Sequence, residues 1–170
     1  MQLKELYHKF AKMVFNIALQ YVQNVQDAEE ITQDVFVKIN DKLNTFEQKS
    51  DIKTWIYRIT INKSLDFLKA NKTNKRWFFI NALKLNQETK IEIIDFNHPG
   101  VQLEQKEAIE KLFISINKLP NNQKTSIILL KIEQLSQAET AQIMNISVKA
   151  LESLFQRAKK NLEIIINQNP

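Results

Sequence analysis

Residues 49 to 76 combine positive charge with aromatic rings, a mixture that suits binding to a nucleic acid. The stretch holds eight basic residues against two acidic ones, while the whole chain of 170 residues has a net charge of +5. Each Lys or Arg that meets a phosphate releases condensed counterions, and aromatic rings stack on unpaired bases. A solvated helix face is the alternative interpretation. The interleaved aromatic residues favour nucleic acid: Trp55, Tyr57, Phe67, Trp77 and Phe78.

A second polar surface follows the predicted last helix of the chain. Lys149, Ser153, Gln156 and Lys160 recur at steps of four, three and four residues, which places them on one face. The opposite face is apolar. Gln156 can read a base edge in a major groove, and the cations of Lys149, Arg157, Lys159 and Lys160 can hold phosphates. This helix is therefore a candidate for recognition of duplex DNA.

The residues before that helix predict a helix-turn-helix. Ser136 can cap a short helix that ends at Met144, with Glu139 completing a capping box. Asn145 follows where the turn needs a left-handed residue, and Ser147 can cap the last helix. An ordinary amphipathic helical hairpin is the alternative, but the coincidence of caps and turn at one spacing favours the DNA-binding motif.

A third candidate surface is acidic and lies on a predicted second helix that runs from a cap at Asn24 to about Leu43. Asp34 is too far from the start of this helix to act on the helix dipole. Phe36 and Val37 are apolar where contact with water is expected, which favours a protein-docking face. The predicted buried stripe of the same helix consists of Ala28, Ile31, Val35 and Ile39.

Composition limits the fold and the chemistry. A single Gly and three Pro leave little to build hairpins or glycine-rich phosphate loops, so we expect an all-α protein. With no Cys and two His, a disulfide, a thiol nucleophile and a Cys/His zinc site are excluded. We therefore expect neither an enzyme nor a bound cofactor or metal. Charged residues near the start and the lack of a long apolar run predict a cytoplasmic protein without membrane insertion.

The periodicity predicts two small helical domains joined by a flexible linker, one over residues 1–95 with linker from about 71, the other over 104–170. The first begins with an amphipathic helix from Leu3 to Tyr21, and its third helix runs from a cap at Ser50 or Asp51 to about Ala70. The second begins with helices over 104–118 and 123–133. The third helix carries two apolar stripes and should pack on two sides: Ile52, Trp55, Ile56 and Ile59; Tyr57, Ile61, Leu65 and Leu68.

Over nearly its whole length the chain resembles the extracytoplasmic-function sigma factors, bacterial transcription initiation subunits. Residues 27–38 resemble the family's region that docks on the polymerase core. Residues 55–62, with Asp66 after them, are similar to the segment that opens the −10 promoter element and captures a flipped base. Residues 119–160 resemble the domain that reads the −35 element.

The resemblance implies core RNA polymerase and promoter DNA as partners, and an anti-sigma factor is compatible with it. The implied polymerase contacts are Asp27, Glu30, Gln33, Asp34 and Val37. The implied −10 contacts are Lys38, Phe46, Trp55, Tyr57, Arg58, Asn62 and Lys63. The implied −35 contacts are Lys149, Ser153, Gln156, Arg157 and Lys160.

Two other functions are compatible with these residues. A free-standing helix-turn-helix regulator would bind a palindromic duplex without polymerase. A polymerase-interaction protein without promoter recognition is the other alternative, because Glu152 and Leu154 stand where the family often has basic residues. Thr140 also departs from the family, since it replaces a usual aliphatic residue.

Overall fold

The computed structural model describes residues 2–44, 46, 51–85 and 103–168, with side chains described for all of these except 72–85 and 103–107. Within these ranges the chain is helical and contains no strand, which confirms the all-α prediction. The elements in chain order are α1 (Leu3–Val22), α2 (Val25–Leu43), α3 (Ile52–Leu85), α4 (Leu103–Asn117), α5 (Asn121–Ile127), a π-helical turn (Ile128–Ile132), α6 (Gln137–Met144) and α7 (Val148–Asn167).

The first three helices pack around one apolar cluster. The Asn24 side chain caps α2 as predicted, because its Oδ1 accepts the backbone N–H of Asp27 at 2.9 Å. All four residues of the predicted α2 stripe are buried. The first cluster consists of Leu6, Phe10, Val14, Ala18, Ala28, Ile31, Val35, Phe36, Ile39 and Ile56.

Helix α3 packs on two sides, as its two stripes predict. Ile52, Trp55, Ile56 and Ile59 contact the first cluster. The second stripe contacts a different apolar cluster, whose other members come from α1, the π-helical turn and α6. We call it the bridging cluster because it joins the first half of the chain, α1 to α3, to the second half, α4 to α7. Its buried residues are Ile17, Tyr21, Tyr57, Ile61, Ile128, Leu129 and Ile143.

Helix α3 runs past its expected end near Ala70 to Leu85 and so includes residues 77–85, for which the sequence left a helix open. No Gly or Pro stands between these two residues, so the backbone meets no residue that would break a helix. The rest of the predicted linker, up to residue 102, lies outside the described residues. So do Ser50 and the loosely predicted domain boundary near 95. The domain limits stay a prediction.

The predicted helix-turn-helix is confirmed in its local geometry. The Ser136 side chain accepts the N–H of Glu139 at 3.2 Å, and the Glu139 carboxylate accepts the N–H of Ser136 at 2.9 Å, which forms the capping box. Asn145 adopts the left-handed conformation with φ 55° and ψ 45°. Ser147 caps α7 by accepting the N–H of Ala150 at 3.1 Å.

The predicted helix over residues 123–133 is present over residues 121–132, but its second part is π-helical. α5 ends at Ile127 and continues as the π-helical turn, so the backbone N–H of Glu133 donates to the carbonyl of Ile128 five residues earlier. The wider turn shifts the register of the residues that follow it. Ile132 consequently packs against both the bridging cluster and a third cluster built by α4, α5 and α7.

The departure at Thr140 leaves a polar group without a partner. Its side chain is fully buried, and its Oγ1 makes no hydrogen bond within the described residues. A buried hydroxyl without a partner costs roughly 1–3 kcal/mol.

We therefore expect Thr140→Val to raise the free energy of unfolding by about 1 kcal/mol, measured by urea denaturation. Thr60→Val is the control, because the equally buried Thr60 hydroxyl donates to the Ile56 carbonyl and its loss should bring no gain.

Candidate nucleic-acid and protein interfaces

The outer face of α7 presents the polar side chains that the sequence predicts to contact duplex DNA. Leu151 and Ala158 are fully buried on the inner face of α7, which packs against the rest of the second half of the chain. The Ser153 hydroxyl donates to the Lys149 carbonyl, and the Nε of Arg157 donates to the Ser153 carbonyl, so both bonds run along the helix. The five predicted residues are all exposed: Lys149, Ser153, Gln156, Arg157 and Lys160.

The outer face of α2 is acidic and includes one exposed apolar residue. Glu30 and Gln33 are exposed, and the Val37 side chain is 62% exposed. Asp34 forms an ion pair with Lys63 of α3 at 3.0 Å, yet its side chain stays 58% exposed. Asp27 lies at the start of the helix, where its N–H meets the Asn24 cap. All five predicted residues thus lie on α2, whose opposite side packs on the first cluster.

The prediction that Phe36 faces water is wrong. Phe36 is 6% exposed and belongs to the first cluster. Its ring packs against that of Tyr7 in α1, with centroids 4.8 Å apart. Tyr7 is half-exposed and therefore adds an aromatic ring to this surface that the sequence analysis missed. Tyr7 is not among the buried residues of α1, and this was the available signal. Those buried residues are Leu6, Phe10, Val14, Ile17, Ala18 and Tyr21.

Two of the predicted −10 residues form a ring pair at the start of α3. The rings of Phe46 and Trp55 lie 4.8 Å apart between centroids and are tilted by 38°. Asp51 begins the helix here, since its carboxylate accepts the N–H of Lys53 at 3.0 Å. Asn62 is exposed, and Lys38 and Lys63 are half-exposed.

Tyr57 and Arg58 lie instead against the second half of the chain. Tyr57 is 3% exposed, and its hydroxyl donates to Glu133 at 3.1 Å. Burial and the neighbouring Glu133 carboxylate raise the pKa of Tyr57, so the phenol remains a proton donor. The Arg58 guanidinium donates to the backbone carbonyls of Gln142 and Ile143, at 2.6 and 3.2 Å. The structure therefore separates these two residues from the ring pair.

An open cleft of about 360 Å³ lies beside Arg58, between α3 and the second half. Asn62 and Leu65 line it on one side, and Asn122 and Asn145 line it on the other. Its polar rim contains side chains able to donate and accept hydrogen bonds. The cleft thus places one exposed predicted −10 residue, Asn62, at the junction of the two halves.

Sequence reasoning missed most of the residues that join the halves. The buried Lys124 donates from Nζ to the Tyr21 carbonyl at 3.2 Å and lies 4.8 Å from the centroid of the Tyr21 ring. The Tyr21 and Thr125 hydroxyls are 2.7 Å apart. Burial raises the pKa of Tyr21. No periodicity marks such partners, because they come from elements about 100 residues apart.

Among the described side chains, no group of three or more His, Asp or Glu is placed to hold a metal ion. The described helices likewise include none with the length and apolar character needed to cross a membrane.

Comparisons with known proteins agree with the order of these surfaces. Residues 6–73 match the family described as Sigma-70 region 2, and residues 115–162 match Sigma-70, region 4. The ECF RNA polymerase sigma factor SigW of Bacillus subtilis is 26% identical over 155 residues, covering 88% of this chain and 80% of SigW. The chain belongs to the extracytoplasmic-function sigma factor family. This sigma factor is a promoter-specificity subunit that binds core RNA polymerase, recognises the −35 and −10 elements and assists promoter melting.

Solved structures share the fold. CnrH, in its complex with the cytosolic domain of CnrY, is similar with a TM-score of 0.66 and 20% identity, covering 99% of this chain and 89% of CnrH. RpoE of Bartonella quintana, bound to the anti-sigma factor NepR, gives a TM-score of 0.63 at 19% identity and 98% coverage of both chains. The presence of both sigma regions in one chain does not favour a free-standing regulator or a protein without promoter recognition.

Proposed function

We propose that this sigma factor uses three separate surfaces for its three partners. The outer face of α2 contacts core polymerase, Phe46 and the exposed face at the start of α3 hold unpaired −10 DNA, and the outer face of α7 reads the −35 duplex. The observation that carries the proposal is the α7 face, where five predicted side chains are exposed together on a helix held by a capped helix-turn-helix.

The polymerase surface consists of Asp27, Glu30, Gln33, Asp34 and Val37. Its support is an exposed valine, Val37, on the same helix as exposed acidic and amide groups. An interface of this kind combines a small apolar centre with a charged rim, where the rim steers encounter with a basic partner.

The proposed −10 surface includes the rings of Phe46 and Trp55 and the side chains of Lys38, Asn62 and Lys63. Stacking on an aromatic ring contributes roughly 1–3 kcal/mol per base, which offsets part of the cost of unpairing. Lys63 and Lys38 supply charge for the backbone, and Asn62 can hydrogen-bond a base. Tyr57 and Arg58 are further proposed −10 contacts, although both lie apart from the ring pair and are bonded here to Glu133 and the α6 carbonyls.

The −35 surface divides into one base reader and several phosphate contacts. We expect Gln156→Ala to reduce discrimination at a single base pair by about 1–3 kcal/mol, because a bidentate amide contact is lost. Lys160→Ala should weaken binding to all sequences alike and lower the salt dependence by the equivalent of about one phosphate contact. Holoenzyme binding to promoter variants over a range of salt concentrations measures both effects.

Lys111→Ala is the control for these two variants, because Lys111 is exposed on α4, outside the proposed surface. It should change neither selectivity nor salt dependence. A uniform loss in Gln156→Ala, with no change at any one base pair, would contradict its assignment as the base reader.

We place the protein in the cytoplasm, where core polymerase and promoter DNA are found. An anti-sigma factor is a further proposed partner, since the similar CnrH and RpoE were solved with CnrY and the anti-sigma factor NepR. Two weak DNA-binding surfaces on one chain gain affinity when polymerase fixes their spacing. The free protein is therefore expected to select promoters poorly.

The proposed function is tested by selecting sequences from a promoter-DNA library with bacterial core polymerase, in the presence and absence of this protein. Retention of particular sequences only when both are present is the expected result. Selection by the protein alone would indicate a free-standing regulator. Binding to polymerase without selection of any sequence would indicate an interaction protein.

A further inference from the structure

Two lysines lie over the same aromatic ring at the edge of α7. The Nζ of Lys131 is 5.7 Å from the centroid of the Phe155 ring, and the Nζ of Lys159 is 5.2 Å from it. A cation is attracted to the face of an aromatic ring within about 6 Å of its centroid. Lys131 belongs to the π-helical turn and Lys159 to α7, so one ring gathers cations from two separate elements.

The Phe155 ring is held on its inner side by apolar contacts. It is half-buried and packs against the third cluster, which includes the fully buried Ala158. Ile132, the residue after Lys131, packs against the same cluster. Both lysine side chains are exposed. The ring therefore lies at the boundary between the apolar core and the solvent, with a lysine from each element beside it.

Neither lysine has an acidic partner within the described residues. Glu163 follows Lys159 by four positions, a spacing at which ion pairs form on a helix, yet no ion pair joins these two described side chains. The ammonium of Lys159 lies over the Phe155 ring instead. Lys131 likewise forms no ion pair or hydrogen bond in the part of the chain that the structure describes. Two cations without a neighbouring carboxylate remain able to bind an anion.

The two lysines lie on a side of α7 that otherwise carries negative charge. Glu152 precedes Lys159 by seven positions, nearly two full turns, so both stand along the same side of the helix. Arg157 stands on the other side of the outer face. A helix in a major groove passes between two phosphate backbones, one on each of its sides. The exposed Glu152 carboxylate repels the backbone on its side, so that side needs cations from elsewhere.

We propose that Lys131, Phe155 and Lys159 form a phosphate clip, in which the ring positions two cations against one DNA strand beside the −35 element. This inference rests on the proposed −35 role of α7 and adds Lys131 to its contacts. Each strand of B-DNA carries one phosphate per about 3.4 Å of helix axis, so two neighbouring cations can meet successive phosphates. Phe155 is a positioning residue that acts through the lysines, because a side chain already held in place loses less conformational entropy on binding.

The salt dependence of promoter binding by the holoenzyme tests the two cations. We expect Lys131→Ala and Lys159→Ala each to lower the slope of log affinity against log salt by about 0.9, the value of one phosphate contact. The affinity should fall alike for all −35 sequences, because phosphates carry no base identity. Lys111→Ala removes an exposed cation from α4 and is the matched control, so it should leave the slope unchanged.

Methylphosphonate substitutions, each of which removes the charge of one phosphate, locate the contacts on the DNA. The parent holoenzyme should lose affinity at successive phosphates of one strand beside the −35 element. Lys131→Ala should be insensitive to one of these substitutions, and Lys159→Ala should be insensitive to the next. If both variants keep the parent's pattern of penalties, or if the two positions fall on opposite strands, the clip is wrong.

Phe155→Leu separates positioning from packing. Leucine keeps the apolar contact with the third cluster but offers no ring face to a cation, so we expect affinity for promoter DNA to fall by about three- to tenfold. Phe155→Tyr retains the ring and should keep the parent affinity. In a protein that already carries Lys131→Ala and Lys159→Ala, Phe155→Leu should cost no further affinity, because no cation is left to position. Circular dichroism and thermal unfolding establish that each variant is folded.

An equal loss from Phe155→Leu with and without the two lysines would assign the ring to packing alone and would overturn the clip. Lys160→Ala distinguishes that failure from failure of the proposed function, because Lys160 belongs to the outer face of α7 but not to the clip. If Lys160→Ala lowers the salt slope and Lys131→Ala does not, the clip alone is wrong. If neither variant lowers the slope, the proposed −35 role of α7 is wrong as well.

Discussion

Asp34→Lys is expected to weaken binding to core RNA polymerase by about 100-fold, equivalent to roughly 2.7 kcal/mol. The Asp34 side chain is 58% exposed one helical turn from Val37, so a reversed charge would stand within the proposed docking surface. Like charges brought together across an interface cost several kcal/mol, whereas loss of one exposed ion pair costs roughly 0–1 kcal/mol. Fluorescence anisotropy of labelled protein titrated with core polymerase measures the change.

Two variants distinguish a docking contact from a structural role. Lys63→Ala breaks the ion pair with Asp34 while leaving the acidic surface in place, so it should retain most of the polymerase affinity. Glu29→Lys reverses an exposed charge on the same helix outside the proposed contact set. If Asp34→Lys and Glu29→Lys lose equal affinity for core polymerase, the loss comes from the net charge of the helix. That result would contradict a defined docking surface.

The sequence predicts the helix-turn-helix well because its signals are local. Ser136, Glu139, Asn145 and Ser147 each satisfy or redirect backbone groups within a few residues of themselves. Such interactions depend little on the rest of the fold, so residue type and spacing are sufficient to predict them. The −35 face follows directly, since the polar residues of α7 lie opposite buried Leu151 and Ala158.

The environment of Phe36 shows where one-helix reasoning fails. On α2 alone, Phe36 lies away from the stripe that begins with Ala28 and appears as an apolar residue in water. Tyr7 of α1 covers it in the structure, with their ring centroids 4.8 Å apart. A helical pattern identifies the widest apolar face, but a neighbouring helix with a large side chain extends the buried area beyond that face.

The second stripe of α3 is a different case. Its apolar spacing predicts a second packed side, yet it does not identify the partner, because many apolar surfaces could cover the same stripe. The partners are α1, the π-helical turn and α6, and the Tyr57 hydroxyl donates to Glu133 directly after that turn. A π-helical turn leaves no periodic signal in the sequence. This is why Tyr57 could be assigned to DNA contact without any indication that it is covered.

Phe46→Leu is expected to lower formation of the open promoter complex by about 5- to 150-fold. The Phe46 ring lies 4.8 Å from that of Trp55, and stacking of an unpaired base on an aromatic face contributes roughly 1–3 kcal/mol. Leucine keeps the apolar bulk but lacks that face. Permanganate reactivity of unpaired thymines in the −10 element measures the fraction of open complex. Phe67→Leu is the matched control, because this half-buried ring packs against the first cluster.

Templates with a single abasic position in the −10 element separate base capture from a general loss of structure. If Phe46 holds one particular base, the penalty of Phe46→Leu should disappear when that base is absent and persist when another is removed. The parent protein should lose as much on the matching abasic template as the variant loses on the intact one. A penalty that is the same on every template would instead assign Phe46 to packing with Trp55, since a lost ring pair weakens the fold whichever bases are present.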